Sequence, residues 1–184
     1  MIQMSKLKIR KYFLKQRDKI SLKERLLLSS RINRNLSQQE EFIIARNIAS
    51  FKTFRNEPQL TQAKNKFYFY PKITDSELSF HSDKKGFKPN RYGIEEPIAK
   101  QSISLNKIDI FLVPLISFNK NLHRIGFGGG YYDRTLKHLL EYDNKPKFWG
   151  IGYDFQLSES NFESKFDVRL DKVISDKKVY VSEI

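Results

Sequence analysis

The sequence predicts an α/β protein with a mostly parallel or mixed sheet, flanked by helices and preceded by a helical N-terminal segment. Short apolar runs that are typical of strands alternate with amphipathic patterns that are typical of helices, and this alternation favours a parallel sheet. Apolar residues make up 39% and aromatic residues 14% of the 184 residues, which is enough to build a core. This length is usual for one domain, so we expect a single domain over residues 1–184.

The first third of the chain is predicted to be helical. Ser5 can cap a helix that runs to about Asp18, and Ser21 with Glu24 has the spacing of a capping box at the start of a second helix. The same spacing returns at residues 37–40, ahead of the apolar run at 42–45. A third helix is therefore expected to begin near Ser37.

Strands are predicted at the short apolar runs in the rest of the chain, which are residues 48–51, 67–70, 108–114, 147–153, 173–174 and 179–181. Pro71 is expected to end the aromatic run at 67–70. Residues 72–107 contain several glycines and prolines and are predicted to be rich in loops. Leucines at helical spacing predict a helix from Tyr131 to about Tyr142.

The composition excludes several classes of protein. The chain has no cysteine, so disulfides, a thiolate nucleophile and a cysteine-based zinc site are all ruled out. No apolar run approaches the roughly 20 residues that span a bilayer, and residues 1–6 lack the apolar segment of a signal peptide. We therefore expect a cytoplasmic protein with no membrane partner.

The positive charge is concentrated near the N-terminus. The formal net charge is +13, and residues 1–46 hold 12 Lys or Arg against 4 Asp or Glu. Such a face suits nucleic acid, an acidic membrane or a phosphorylated small molecule, although it can also be a solubilising surface. Lys6, Arg10 and Arg17 fall on one face of the first helix, where they could clamp a polyphosphate or form a solvated basic face.

A glycine-rich turn at residues 124–134 is the most informative segment. Four glycines in five positions allow close approach of a ligand to the backbone, and the predicted helix after them presents free N–H groups. The turn therefore predicts a phosphate or carboxylate site, with a ligand-free tight turn as the alternative. It matches neither the P-loop nor the dinucleotide fingerprint. Asp133 could either favour the helix dipole or hold a hard cation such as Mg²⁺, and the spacing alone does not choose between them.

This segment closely resembles the signature of the 5-formyltetrahydrofolate cyclo-ligase family, also called methenyltetrahydrofolate synthetases. The family pattern is Arg-Leu-Gly-x-Gly-x-Gly-Tyr-Tyr-Asp-Arg, and Ile125 replaces the leucine here. Other segments resemble the family in the same order along nearly the whole chain, namely residues 6–10, Glu57, residues 92–97, Val113 with Pro114, Gln156, Asp167 and residues 173–175.

The resemblance implies an ATP- and Mg²⁺-dependent enzyme that closes 5-formyltetrahydrofolate, possibly carrying several glutamates, into 5,10-methenyltetrahydrofolate. The formyl oxygen is phosphorylated, N10 attacks the formyl carbon, and ADP and phosphate are released. By resemblance ATP contacts Lys6, Arg10, Arg124, Gly126, Phe127, Gly128, Gly129, Gly130, Tyr131 and Tyr132. Phe51, Lys52, Glu57, Phe127 and Tyr131 would bind the folate, Asp133 and Asp167 the metal, and Arg124, Tyr131 and Asp133 would be catalytic.

Two other functions stay open at this stage. One is a nucleic-acid-binding module, prompted by the basic first quarter, although no nucleic-acid-binding motif can be placed and this partner is not expected. The other is a catalytically silent relative that binds nucleotide or folate, since the segment after Glu57 is about six residues shorter than is familiar in the family. Glu95 and Glu96 are not expected to act as an acid–base pair, because adjacent residues rarely converge. A monomer is expected.

Overall fold

The structure is a computed structural model that describes residues 5–182, so the first four residues of the segment used to exclude a signal peptide lie outside it. The α-helices are α1 (Lys6–Arg17), α2 (Leu22–Ser37), α3 (Glu40–Ile44) and α4 (Tyr131–Lys137). Short 3₁₀ turns cover Leu105–Lys107 and Asp154–Gln156. No helix within the described range is both long and apolar enough to span a bilayer.

The predicted starts of the first two helices are confirmed. The Ser5 hydroxyl accepts a hydrogen bond from the Lys8 N–H, and Ser21 forms the complete capping box with Glu24. The predicted start at Ser37 is wrong, because α2 continues through that residue and the Ser37 hydroxyl donates to the Arg34 carbonyl. A hydroxyl inside a helix can bond back to the preceding turn, so the capping spacing alone did not identify a helix start.

In the described part of the chain, thirteen strands form one large sheet and two small ones. They are β1 (Asn47–Ala49), β2 (Phe67–Ile73), β3 (Leu78–Ser82), β4 (Phe87–Pro89), β5 (Glu95–Pro97), β6 (Ser102–Ile103), β7 (Ile110–Pro114), β8 (Ser117–Asn119), β9 (Arg124–Ile125), β10 (Lys147–Ile151), β11 (Leu157–Ser158), β12 (Lys172–Ile174) and β13 (Val179–Val181). The large sheet has the order β13-β12-β10-β7-β1-β2-β3-β6. Strands β8, β9 and β11 form a three-stranded sheet, and β4 pairs with β5.

The predicted fold class, a mostly parallel or mixed sheet with helices, is confirmed. The five central strands β12, β10, β7, β1 and β2 are parallel, while β13, β3 and β6 are antiparallel additions at the two edges. The chain passes from β1 to its neighbour β2, and after β6 it crosses back to β7, which is the neighbour of β1 on the opposite side from β2. The order therefore reverses between β1 and β7, and the carboxyl edge at such a point is the usual place for a ligand in an open α/β sheet.

Two expectations about the elements are wrong, and a third is incomplete. Strand β2 continues through Pro71 to Ile73, because β1 pairs only as far as Phe69 and a missing N–H at Pro71 removes no bond to that neighbour. Residues 72–107 are rich in loops, as predicted, but they also hold β3 to β6, since short antiparallel strands tolerate the turn residues between them. Helix α4 ends at Lys137 and continues only as isolated turns.

Two apolar layers cover the two faces of the large sheet. Along β7, Ile110 and Leu112 pack into the layer that α2 covers, whereas Phe111 and Val113 pack into the layer on the side of α4. This alternation follows from the two-residue period of a strand. Both layers reach the carboxyl edge of the sheet, so they give the loops at that edge a rigid base.

Candidate functional site

A cavity of about 710 Å³ lies at the carboxyl edge of the sheet, beside the reversal point between β1 and β7. Residues that follow these two strands, Lys52 and Leu115 among them, line its wall. All the residues that the family resemblance assigned to the site line this one cavity, and they are Lys6, Arg10, Phe51, Lys52, Glu57, Arg124, Gly126, Phe127, Gly128, Gly129, Gly130, Tyr131, Tyr132, Asp133 and Asp167. Segments far apart in the chain are thus brought to the same space.

The glycine loop joins β9 to α4 and forms one wall of the cavity. Gly128 and Gly130 have φ values of +105° and +68°, which side-chain-bearing residues rarely adopt. At Gly126 an added Cβ would meet nothing within 4 Å, so no atom of the described protein explains the glycine there. This open approach to the backbone is what a ligand cradle requires. Because α4 has only seven residues, the helix N-terminus predicted to bind the anion contributes little by itself, and the basic side chains matter more.

Two basic residues of α1 reach this wall. The Arg10 Nε donates to the Gly126 carbonyl oxygen at 2.7 Å. The Arg10 guanidinium lies 3.4 Å from the point that a Cβ would occupy if Gly128 had a side chain. The Lys6 ammonium forms an ion pair with Asp167. Helix α1 therefore places two cations, four residues and about one turn apart, against the open face of the glycine loop.

Buried Arg124 and partly exposed Asp133 form an ion pair at the ends of the same loop. Arg124 is 6% exposed, and its Nη2 lies 3.2 Å from Asp133 Oδ1. The same carboxylate oxygen accepts a hydrogen bond from the Val168 N–H at 3.0 Å. Arg124 also donates to the Val168 carbonyl at 3.4 Å. These contacts hold β9, α4 and the segment after Asp167 together, so the pair fixes the shape of the loop as well as its charge.

Asp167, the partner of Lys6 in this ion pair, also lines the cavity. Its Oδ2 also accepts hydrogen bonds from the Ser164 N–H at 2.6 Å and the Ser164 hydroxyl at 2.9 Å. Burial alone would raise the pKa of Asp167, but the bonds from Lys6 and Ser164 outweigh that effect and hold it below its usual value. Asp167 is therefore ionised at neutral pH and available to a cation.

Asp133 and Asp167 suit a magnesium ion only if other donors, such as phosphate oxygens of a bound ligand, complete its coordination. Within residues 5–182 no group of three or more His, Cys, Asp or Glu side chains could hold a metal. The contacts of Asp133 and Asp167 with the described protein use one oxygen of each carboxylate. Mg²⁺ is usually bound by one or two carboxylates together with phosphate oxygens and water, so this donor set suits it beside a phosphorylated ligand.

Glu57 lines the same cavity. Arg55 and Asn56 adopt φ values of +45° and +57°, and this left-handed turn directs the Glu57 carboxylate back to the Phe54 N–H, at 3.1 Å. The Glu57 residue is 3% exposed. Burial raises the pKa of Glu57 to about 7, although Arg17 and the Phe54 N–H act in the opposite direction. Glu57 can thus change its protonation state near neutral pH, as functional carboxyl groups often do.

Aromatic rings separate Glu57 from the glycine loop. The Phe127 ring is 45% exposed and packs edge-on against Phe54, with 5.6 Å between ring centres. The Tyr132 hydroxyl is buried and has no hydrogen-bond partner among the described residues. An orphaned buried hydroxyl is costly, so this atom is well suited to pair with a bound ligand.

Sequence reasoning missed one wall of the cavity, the hairpin formed by β4 and β5. Asn90, Ile94 and Glu96 line the cavity from this hairpin, and Glu96 Oε1 accepts bonds from the Ile73 N–H at 3.0 Å and from Asn90 Nδ2 at 2.8 Å. Glu96 therefore fastens the hairpin to the end of β2. Glu95 lines the cavity too, but it is exposed whereas Glu96 is buried. The signal that could have found this wall is the family-like segment at residues 92–97.

Arg17 contradicts the expectation that it shares the basic face of Lys6 and Arg10. It is fully buried and donates to the Leu115 carbonyl at 3.1 Å, so it neither lines the cavity nor contacts solvent. The reason is that α1 ends at this residue, where its side chain meets the loop after β7 rather than the cavity. Helical spacing predicts the direction of the side chain, but it does not predict whether neighbouring elements bury it.

Fold and site together define an α/β enzyme whose cavity at the sheet edge combines a glycine loop, cations and carboxylates. The model of the 5-formyltetrahydrofolate cyclo-ligase family matches residues 2–176. The chain belongs to that family, and the family resemblance seen in the sequence is confirmed. A 5-formyltetrahydrofolate cyclo-ligase of Mycoplasma pneumoniae is 33% identical over 191 residues, with coverage of 95% of this chain and all of the relative.

Solved structures agree with this assignment. The NMR structure of the Aquifex aeolicus 5,10-methenyltetrahydrofolate synthetase superposes with a TM-score of 0.83 and 27% identity, over 98% of this chain and 94% of that one. A 5,10-methenyltetrahydrofolate synthetase from Mycoplasma pneumoniae gives a TM-score of 0.76 and 29% identity, over 94% of this chain and 99% of that one. The likeness covers the whole fold, including the segments that meet at the cavity.

Proposed function

We propose that this enzyme converts 5-formyltetrahydrofolate into 5,10-methenyltetrahydrofolate, using ATP and Mg²⁺ and releasing ADP and phosphate. One observation carries the proposal: a single cavity joins a cationic wall suited to phosphates with a buried carboxyl group and aromatic rings suited to a pterin. The glycine loop belongs to the cationic wall, and its Phe127 packs against Phe54 in the turn that carries Glu57. A phosphoryl donor and the folate can therefore meet without either leaving the cavity.

The ATP phosphates are proposed to bind along the glycine loop. Lys6 and Arg10 would approach them from α1, and Arg124 from the base of the loop, with the open backbone at Gly126 admitting phosphate oxygens. Lys6 would then exchange its present partner, Asp167, for a phosphate. Three cations around a polyphosphate would offset the negative charge that transfer must carry.

Asp133 and Asp167 are proposed to hold Mg²⁺ beside those phosphates. When bound, the ion would offset the negative charge on the transferred phosphoryl group. The protein's own task is to keep both carboxylates ionised and in place. Arg124 and the Val168 N–H do this for Asp133, and Ser164 does it for Asp167.

The folate is proposed to bind on the other side of the loop. Phe51, Phe127 and Tyr131 supply apolar and aromatic surface for a flat ring, and Lys52 adds a cation at the rim. Ionised Glu57 is an acceptor only, so it suits the N–H donors of a pterin. Its burial makes such a bond sensitive to geometry, since a donor that fails to meet it leaves a charge uncompensated.

The reaction follows from this placement. The formyl oxygen attacks the γ-phosphorus of ATP and ADP leaves, so that a poor leaving oxygen becomes part of a phosphate ester. N10 of the folate then attacks the formyl carbon, loses its proton, and phosphate departs as the ring closes. No protein nucleophile is needed, which agrees with a chain without cysteine. The protein contributes positioning and charge stabilisation, as in phosphoryl transfer generally.

The test is direct. Purified protein is mixed with 5-formyltetrahydrofolate, ATP and MgCl₂, and the near-ultraviolet absorbance of the methenyl product is followed, with ATP or Mg²⁺ omitted in turn. Growth of the signal that needs both is the expected result. No growth despite separate binding of ATP and folate would indicate a silent relative. Binding to nucleic acid that weakens steeply with salt, without binding of either small molecule, would overturn the proposal.

A further inference from the structure

Arg17 lies behind the cavity wall and contacts three parts of it. Its Nη1 donates to the Leu115 carbonyl at 3.1 Å and lies 3.8 Å from Glu57 Oε1, and its guanidinium is 5.7 Å from the centre of the Phe127 ring. Leu115, Glu57 and Phe127 all line the cavity, whereas Arg17 does not. One buried side chain therefore connects α1 with the loops after β1, β7 and β9.

This arrangement is expensive for the fold. Arg17 is fully buried, and its Nε and Nη2 have no hydrogen-bond partner among the described residues. Burial lowers the pKa of Arg17, although the nearby Glu57 acts in the opposite direction. A well-packed apolar side chain of similar volume often replaces a buried ion pair without loss of stability. Packing alone thus gives no reason for a guanidinium at this position.

The groups that face Glu57 are few. Arg17 approaches it from α1, Tyr132 from α4, Tyr153 from the segment after β10, and the Phe54 N–H from its own turn. Burial raises the pKa of the Tyr132 hydroxyl far above neutral and that of Tyr153 to about 12, so both are uncharged at neutral pH. Arg55, on the same turn, pairs with Asp18 at 2.7 Å instead. Within residues 5–182, Arg17 is the charged group that stabilises ionised Glu57.

We propose that Arg17 is a positioning residue for folate binding: from outside the cavity it keeps the Glu57 carboxylate ionised and aimed at the substrate. This inference rests on the proposed function, because it assumes that Glu57 receives the folate. The contacts with Leu115 and Phe127 make the same guanidinium a brace for the wall around the ligand. Arg17 itself touches no substrate.

The pH dependence of folate binding follows from this role. A carboxyl group whose pKa is about 7 is partly protonated at neutral pH, and the neutral form is a weaker acceptor. Folate binding should therefore weaken as the pH falls through about 7 in the wild-type protein. Removal of the Arg17 charge removes an effect that lowers the pKa of Glu57. The midpoint of the binding curve should then move to higher pH.

The experiment measures 5-formyltetrahydrofolate binding by equilibrium dialysis, without ATP, from about pH 5.5 to about pH 8.5. This range spans the raised pKa of Glu57, which is about 7. In Arg17→Gln we expect the midpoint to rise by about one pH unit and the Kd near pH 7 to rise roughly fivefold. Lys15→Gln is the matched control, since it removes one exposed charge from the same helix. Its curve should superpose on that of the wild type.

Two more variants separate positioning from general support of the fold. Glu57→Gln should bind folate weakly with no inflection near neutral pH, and adding Arg17→Gln to it should introduce no inflection. Arg17→Lys keeps the charge but not the planar fork, so it should retain the wild-type midpoint and raise the KM for folate several-fold, leaving the KM for ATP unchanged. This variant provides the test if Arg17→Gln does not fold.

The contrary results are distinct. A wild-type midpoint in Arg17→Gln, or an Arg17→Lys variant with the wild-type KM for folate, would overturn the inference. A lower melting temperature with equal losses for ATP and folate would assign Arg17 to the fold alone and overturn it too. A wild-type enzyme that binds folate but never forms the methenyl product would instead contradict the proposed function.

Discussion

The cavity has two halves that differ in their side chains and in the contacts that hold them in place. The cationic half consists of Lys6, Arg10, Arg124 and the glycine loop, and it offers charge and open backbone. The hairpin half consists of Asn90, Ile94 and Glu96 with the end of β2, and it offers shape and fixed polar contacts. One half suits many phosphorylated ligands, whereas the other can discriminate between flat rings. We infer that the cationic half drives chemistry and the hairpin half sets substrate choice.

The difference also shows which interactions hold each half together. In the cationic half, carboxylates from elsewhere in the chain neutralise some of the basic side chains, as in the pairs of Lys6 with Asp167 and of Arg124 with Asp133. In the hairpin half, one buried carboxylate, Glu96, joins β5 to the end of β2. Substitutions in the two halves should therefore separate the kinetics of ATP from those of folate.

The largest effect is expected from Asp133→Asn. The amide keeps an oxygen for the Val168 N–H, so the fold should survive, but the charge that balances Arg124 and would hold the cation is lost. We expect kcat to fall by about 100-fold or more, the usual scale for loss of one electrostatic element. Circular dichroism checks folding, and exposed Asp143→Asn is the control. Near-normal turnover would remove Asp133 from the metal site.

A smaller effect is expected from Lys6→Ala. Loss of one charge-assisted contact to phosphate should raise the KM for ATP by about tenfold and leave the KM for folate unchanged. Asp167 also loses the bond that lowers its pKa, so its ionised form becomes less favoured as the pH falls. The exposed Lys8→Ala on the same helix is the control. Equal KM values for ATP in both variants would return Lys6 to a structural role.

Glu96→Ala should act on the other substrate. It leaves the Ile73 N–H and Asn90 without their acceptor, which costs about 1–3 kcal/mol of stability and loosens the hairpin. We expect the KM for folate to rise about fivefold, equivalent to about 1 kcal/mol, while the KM for ATP stays constant. Lys88→Ala, an exposed change on the partner strand, is the control. A loss confined to ATP would break the division of the cavity.

The smallest kinetic effect is expected from Ser21→Ala, which lies in neither half. Loss of the capping box at the start of α2 should lower the free energy of unfolding by about 1 kcal/mol. For a chain of this size that corresponds to a melting temperature lower by about 2–4 °C. Both KM values should stay at wild-type levels in the same preparation. A change in either would show that α2 is coupled to the cavity.

The two halves were not equally predictable. The glycine loop and the caps of α1 and α2 depend on neighbours within a few residues, so their patterns are visible in the sequence. Strands β3 to β6 depend on antiparallel pairing across turns, and no local period marks them. The buried position of Arg17 depends on contacts with residues 40 to 110 positions away, which no helical pattern reports. Long-range packing, rather than propensity, decided each of these points.

In the proposed reaction, the formyl oxygen is phosphorylated before the ring closes. The most direct measurement uses 5-formyltetrahydrofolate with ¹⁸O in the formyl group, unlabelled ATP and MgCl₂, and mass analysis of the phosphate released with each methenyl product. We expect one phosphate per product, carrying the ¹⁸O label. Unlabelled phosphate, or product formed without cleavage of ATP, would contradict it.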